Sequence, residues 1–315
     1  MCSHRTTPTS NILLSTGLTD DTVAILKEYP HLKWVSEPDE GEAEALNKAL
    51  KMATGDIINW LNVDDVYFDN DVLFTVAEEW EKNPDAGVIY GKGLVVNEEG
   101  EVVMYRSPLI PVTLSSLMRW HTNLNLTQPA MFYSAVLVKD VGFFREDLFF
   151  SIDYEYWMRI SAKGYRYHFV DRVFANATLV REGAKSGNSV EDQHSNWQLI
   201  AASFQDYLSR PERINFWRDF YLYRIRNPLG YSAQIAFPER EEALLGMTLA
   251  LLEMNDVHNA AASLNQLTGR FPPSPDVYWI IAEIQHRVGQ GGDSCRSAEM
   301  GKLAQTQGSP ANGRS

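Results

Sequence analysis

The residue types best suited to chemistry are Asn62-Val63-Asp64-Asp65, which follow the apolar run Asp56–Leu61 (DIINWL). Where a strand of an open α/β sheet ends, loops converge and ligands bind outside the carboxyl edge. Adjacent carboxylates there suit a hard divalent cation, Mg²⁺ or Mn²⁺. Such a cation takes one or two protein oxygens and completes its shell with phosphates and water. The other reading of the same pair is a cap for the next helix, since Asp accepts hydrogen bonds from free amides at a helix start. A second cluster lies in Asp153–Ala162 (DYEYWMRISA). There Glu155 and Arg159 are spaced for an i,i+4 ion pair, and Trp157 shares a helical face with Asp153.

These groups need elements to hold them. Asn11–Ser15 reads as a short strand, and Asp20–Tyr29 as a helix with Thr19 or Asp20 as its cap. Leu32–Ser36 alternates like a strand, and Glu42–Met52 puts Ala45, Leu46, Ala49 and Leu50 on one helical face. Asp56–Leu61 is the third strand. A helix over about 70–82 follows, then a strand near Gly87–Tyr90 and a hairpin turning at Asn97-Glu98-Glu99-Gly100. Alternation of this kind predicts an α/β fold with a mainly parallel sheet flanked by helices. From Leu109 the pattern is interrupted by Pro108, Pro111 and Pro129, and it turns helical again at Asp153–Ala162. After the Gly183–Ser189 segment, residues 190–230 read as helical and aromatic-rich. Two helical hairpins then span 240–305, separated by Phe271-Pro272-Pro273-Ser274-Pro275. A shift of 34 positions aligns Leu244, Leu245 and Met247 with Tyr278, Trp279 and Ile281, a tetratricopeptide-like period. An ordinary helical tail is the plainer alternative.

Composition narrows the class. The 315 residues carry 28 Lys and Arg against 41 Asp and Glu, a net charge of −13, which argues against nucleic-acid binding. A hydrophobic share of 44% with 22% charged residues fits a globular chain. The sequence shows neither a signal peptide nor an apolar run long enough to cross a bilayer, so the expected location is cytoplasmic. Cys2 and Cys295 are too far apart in sequence to make a zinc spacing, the seven histidines include no i,i+4 pair, and no P-loop motif occurs.

Several motifs in order are more specific than any one of them. Trp34 through Gly41 (WVSEPDEG), Ala45-Leu46-Asn47-Lys48, Ala53 through Ile58 (ATGDII) and Trp60 through Asp65 (WLNVDD) together resemble the family 2 glycosyltransferases of GT-A fold. Gln128-Pro129-Ala130-Met131-Phe132 and Val141-Gly142-Phe143-Phe144 through Leu148 match that family's acceptor-side segments. Asp153 through Arg159 matches its catalytic helix. The resemblance spans about residues 11–190. It implies a GT-A (Rossmann-like) domain that moves a sugar, with inversion, from a nucleotide-diphosphate-sugar donor to a hydroxyl of a glycan or lipid-linked acceptor.

The resemblance also implies a role for each matched position. Asp64 corresponds to the metal ligand of a D-x-D motif whose first position is Asn62, with Asp65 beside it, and the cation would be Mn²⁺ or Mg²⁺. Asp39 corresponds to the carboxylate near the donor's base and ribose. Asp153 corresponds to the general base, and Gln128, Trp157 and Arg159 fall on the acceptor side. Trp157 fits a core position equally well.

Departures from the pattern carry expectations of their own. The family's first strand and helix have no counterpart ahead of Asn11, Ser15 replaces an acidic residue, Glu40 stands where Lys or Arg is common, and Gly183 lies near the place of a histidine. A sheet lacking that strand would leave edges unpaired, so a marginally folded chain of doubtful activity is expected. The expected domains are a GT-A-like domain over 1–190, a helical linker or acceptor-side segment over 191–239 and a helical-hairpin tail over 240–315. Arg210–Arg226 mixes five arginines with five aromatics, which suits either peripheral contact with an anionic membrane or burial with snorkelling stems. A non-catalytic GT-A-like remnant with an interaction tail is the alternative function. A nucleotidyltransferase is disfavoured, because its glycine- and lysine-rich phosphate loop is missing.

Overall fold

A computed structural model describes residues 21–105, 107–119, 126–179, 190–226 and 240–288, with side chains from 196 onward in the fourth segment. The strand expected at Asn11–Ser15, the caps Thr19 and Asp20, the Gly183–Ser189 segment and the second arm of the last hairpin lie outside those residues. The chain divides into two compact units, Met1–Ile200 and Ala201–Ser315.

The first unit is built on a sheet of β1 (Ile57–Ile58), β2 (Val66–Tyr67), β3 (Val88–Val96), β4 (Val102–Tyr105), β5 (Met131–Ser134) and β6 (Tyr167–Thr178). The order is β1-β5-β3-β6-β2, with β4 paired to β3. The α/β class stands, but the described ladders are mixed rather than mainly parallel. Among the described residues only β3 and β6 run parallel; β1–β5, β3–β5, β3–β4 and β2–β6 are antiparallel. The reason lies in the connections. The Asn97–Gly100 turn reverses the chain at once, with Asn97 Oδ1 accepting from the Glu101 amide at 2.7 Å, and a reversal of that length permits only an antiparallel pair.

Flanking the sheet are α1 (Thr22–Lys27), α2 (Glu42–Met52), α3 (Val72–Lys82), α4 (Leu114–Met118), α5 (Ala135–Val141) and α6 (Ile152–Ala162). Alternation along β5 separates two cores. Phe132 faces the cluster of Val72, Val76, Ile89, Phe174 and Ala175 beneath α3. Tyr133 faces the opposite way and meets Trp157 of α6.

Three expectations need correction. Leu32–Ser36 has no regular structure, because among the described residues no strand ladder includes it. The third strand shrinks to Ile57–Ile58 because the Asn59 side chain donates to the carbonyls of Pro129 (3.2 Å) and Met131 (2.7 Å). The fully buried positions of α2 are Ala43 and Asn47, while Ala45, Leu46, Ala49 and Leu50 are only half-buried.

Helix α7 (Val190–Ser203) runs across the division between the units. The second unit contains α8 (Arg210–Arg226), α9 (Glu241–Glu253), α10 (Val257–Arg270) and α11 (Pro275–Arg287). Its core joins Ile214 to Leu245, Leu251, Leu264, Leu267, Val277, Ile280 and Ile284. Phe216, Trp217, Phe220 and Tyr221 of α8 are buried. Its arginines meet carboxylates of the neighbouring helices: Arg210 bonds Glu241 and Asp276, and Arg213 bonds Glu242 at 2.9 Å. Helices α9 and α11 begin 34 positions apart.

Candidate functional site

Residues 60–65 form a loop between β1 and β2, so Asp64 and Asp65 do not cap a helix; α3 starts later, after Asp71. The loop is stitched in place through its main chain. Gln128 donates from Nε2 to the Trp60 carbonyl, and the Asn62 amide group reaches Gln128 Oε1 at 3.4 Å. The Asp65 N–H closes a turn on the Asn62 carbonyl at 3.0 Å. At the end of β6 the Thr178 hydroxyl donates to the Asp64 carbonyl, and the Thr178 amide donates to Asp65 Oδ1 at 3.1 Å.

These bonds give the two carboxylates opposite fates. Asp65 is turned inward and only 7% exposed. Burial pushes its carboxyl up to about 6 against the pull of the Thr178 amide, and the neighbouring Asp64 charge adds to the rise. Asp64 is exposed and shows its carboxylate to solvent. Gln128 reaches the loop because the short 3₁₀ turn Gln128–Ala130 lies close on β3. A Cβ on Gly93 would sit 2.2–2.4 Å from three side-chain atoms of Thr127, so only glycine lets this turn approach.

An aromatic block stands between the loop and α6. Trp60 stacks on Tyr133 with ring centroids 5.2 Å apart and planes 5° off parallel. Phe144 meets Trp60 edge-on at 4.8 Å and lies 4.4 Å from Tyr156. Trp157 donates from Nε1 to the Tyr133 hydroxyl at 2.8 Å and is 1% exposed, so it is a core residue. Asp153 is half-buried in the first turn of α6, where its Oδ1 accepts the Tyr154 amide at 2.7 Å. Burial holds the Tyr133 phenol well above its ordinary range, and the Asp153 charge reaches far enough to add to that.

Arg159 is engaged within the domain. Its Nε bonds both oxygens of buried Glu155 at 2.8 and 3.0 Å, the ion pair read from the spacing. Its Nη1 and Nη2 donate to the carbonyls of Val141 and Phe143, each at 2.8 Å. Asp39 sits on its own loop ahead of α2, accepting the Gly41 amide at 3.0 Å; Gly41 has φ +147°, a conformation that favours glycine. Glu40 is exposed.

The structure therefore gathers Asn62, Asp64, Asp65 and Gln128 in one place and joins them, through stacked rings, to the helix of Asp153 and Trp157. Asn47, quoted above only as part of a motif, and Asn59 and Thr178, which no motif singled out, tie the pieces together through their side chains or amides. Asn47, only 2% exposed, carried a signal, as a polar residue on the same helical stripe as buried Ala43. Among the described residues no group of three or more His, Cys, Asp or Glu gathers as a metal site, and no helix is long and apolar enough to cross a membrane.

Comparison with known proteins bears on the family and the fold. A family model described as Glycosyl transferase family 2 matches residues 8–142. An uncharacterized glycosyltransferase of Rickettsia conorii is 23% identical over 233 residues, 71% of this chain and 37% of that protein. Poly-beta-1,6-N-acetyl-D-glucosamine synthase of Staphylococcus epidermidis is 27% identical over 146 residues, 44% of this chain and 35% of that protein. The chain thus spans about a third of the length of these curated relatives. The crystal structure of S. aureus TarS 1–349 in complex with UDP-GlcNAc superimposes with a TM-score of 0.52 at 17% identity, covering 96% of this chain and 84% of that one. Over residues 8–142, then, this chain is similar to glycosyl transferase family 2, and its fold resembles the GT-A-like fold of TarS.

Proposed function

We propose that this chain transfers a sugar from a nucleotide-diphosphate donor to an acceptor hydroxyl with inversion, in the synthesis of a polysaccharide or related glycan. The observation that carries the reading is the convergence of Asn62, exposed Asp64 and Gln128 on one loop, braced through Trp60 against the helix of Asp153. The complex of TarS with UDP-GlcNAc supports a uridine diphosphate sugar as donor.

The residues fit a hard cation, Mn²⁺ or Mg²⁺, of the kind held by one protein carboxylate and by substrate phosphates. Asp64 would hold it, with Asn62 beside it, while Asp65 is committed to the Thr178 amide and serves as the anchor. Such an ion supplies charge neutralisation for a leaving diphosphate. Asp153 would take the proton from the attacking hydroxyl, the Tyr154 amide holding the carboxylate in orientation. One base and one displacement invert the anomeric carbon. Asp39 stands at the donor end, ahead of α2.

Calorimetry with UDP and Mn²⁺ tests the assignment. Wild type and Asp153→Asn should bind alike, Asp64→Ala should lose metal-dependent binding, and Asp153→Asn should lose transfer by about 10²–10⁴-fold. Equal binding by Asp64→Ala, or retained transfer by Asp153→Asn, would overturn the respective role.

A further inference from the structure

We propose that Asn47 is a positioning residue that sets the spatial relation between the donor-side loop and the helix of Asp153. The proposal rests on the transferase reading above and extends it to a residue that touches no reacting atom.

Asn47 is 2% exposed on α2, which begins directly after the Asp39–Gly41 loop. Its amide group holds a partner 97 positions away in a two-way grip. Nδ2 donates to the Phe144 carbonyl at 2.9 Å, and Oδ1 accepts the Phe144 amide at 2.8 Å. Nδ2 also donates to Glu146 Oε1 at 2.8 Å. A buried amide is costly unless its donors and acceptor are matched, and here each is. No residue but asparagine has that reach with both a donor and an acceptor; aspartate would set a carboxylate against a carbonyl and Glu146.

What is gripped decides the role. The Phe144 ring lies between Trp60, on the loop that carries Asp64, and Tyr156, on the helix that carries Asp153. From the other side, Arg159 holds the carbonyls of Val141 and Phe143. The stretch 141–146 is therefore fixed by side chains of α2 and α6, and the Phe144 ring passes that constraint to both the loop of Asp64 and the helix of Asp153. Loss of the Asn47 grip frees Phe144 to shift, and with it the spacing between Asp64 and Asp153. Misplacement of about 1 Å at a reacting centre costs on the order of a hundredfold in rate.

Asn47→Ala in the full chain tests this by amide hydrogen exchange, UDP binding with Mn²⁺ and slow UDP release from UDP-GlcNAc. Exchange in 142–152 and in 60–65 should quicken about tenfold or more, the scale of lost buried hydrogen bonds, while β3 stays protected. The affinity for UDP should stay within about twofold and the release rate should fall about ten- to a hundredfold. A purely local role would confine the change to α2 and the Phe144 amide. A general loss of stability would spread it over β3. Either pattern, or an unchanged release rate, overturns the proposal. If Asn47→Ala does not fold, Glu146→Ala removes one bond of the grip from an exposed partner. It should move the same amides and the rate in the same direction by about two- to fivefold; no movement overturns the proposal. Failure of the wild type to bind UDP would refute the transferase reading alone, and the exchange pattern would still decide the coupling.

Discussion

A carboxylate that is buried with few hydrogen-bond donors is held in its charged form at a cost. Asp65 is in that position: despite the Thr178 amide and the Asn62 side chain, burial puts its carboxyl at about 6 in the folded chain against 3.8 in the ordinary state. A raised value for an acid means that the fold favours the protonated form. The stabilising contribution is therefore complete below about pH 4 and is lost as pH rises through 6, by up to about 3 kcal/mol. Asp65→Asn keeps an acceptor for the Thr178 amide and removes the charge. At pH 7.5 it should melt above wild type, with the gap closing by pH 4; parallel melting curves at both pH values would refute the assignment. The acidic run Asn62-Val63-Asp64-Asp65 was legible in the sequence as a loop following a strand, and that is where it lies, between β1 and β2. Which carboxylate turns inward was not legible, because Thr178 decides it from 113 positions away. For Arg159 the spacing disclosed the Glu155 partner but not the carbonyls of Val141 and Phe143, which belong to another segment.

Elements place these residues through close approach more than through regular structure. The 3₁₀ turn Gln128–Ala130 can rest on β3 only where Gly93 leaves room for Thr127. Gly93→Ala should destabilise the first unit by about 1–3 kcal/mol, the usual range for overpacking, and weaken UDP binding by lifting Gln128 from the Trp60 carbonyl. Adding Thr127→Gly to that variant should restore both, and a melting temperature indifferent to Gly93→Ala would sink the claim. The long periodic helices were readable: Glu42–Met52 matches its expected bounds, and Ile152–Ala162 differs by one residue. Short strands were not, because two-residue pairs such as Ile57–Ile58 exist by virtue of a partner such as β5. The apolar face assigned to α2 missed by a small rotation, since a buried asparagine counts as polar in any periodicity sum.

At the scale of the molecule, the second unit has a core of its own, running from Ile214 of α8 through Leu245, Leu264 and Ile280. A hydroxyl pair, Thr248 and Ser263, is satisfied inside it at 2.9 Å. Arg210 and Arg213 complete their charge pairs within the same unit. Expressed alone, Ala201–Ser315 should give a helical far-ultraviolet spectrum and a single cooperative melt; a gradual, non-cooperative loss of helix would show that it needs the first unit. Here composition invited two readings of Arg210–Arg226. Buried aromatics and paired arginines agree with the packed one.

The acidic loop is fastened wholly from behind, through carbonyls, a side-chain amide and Thr178, so Val63 at its tip is 94% exposed. Mutational drift at position 63 thus meets little resistance from folding, although the position adjoins Asp64. On the proposed function, a lineage could sample new side chains beside the donor there without first acquiring a compensating change elsewhere, which would make this tip a natural place for selectivity to diverge.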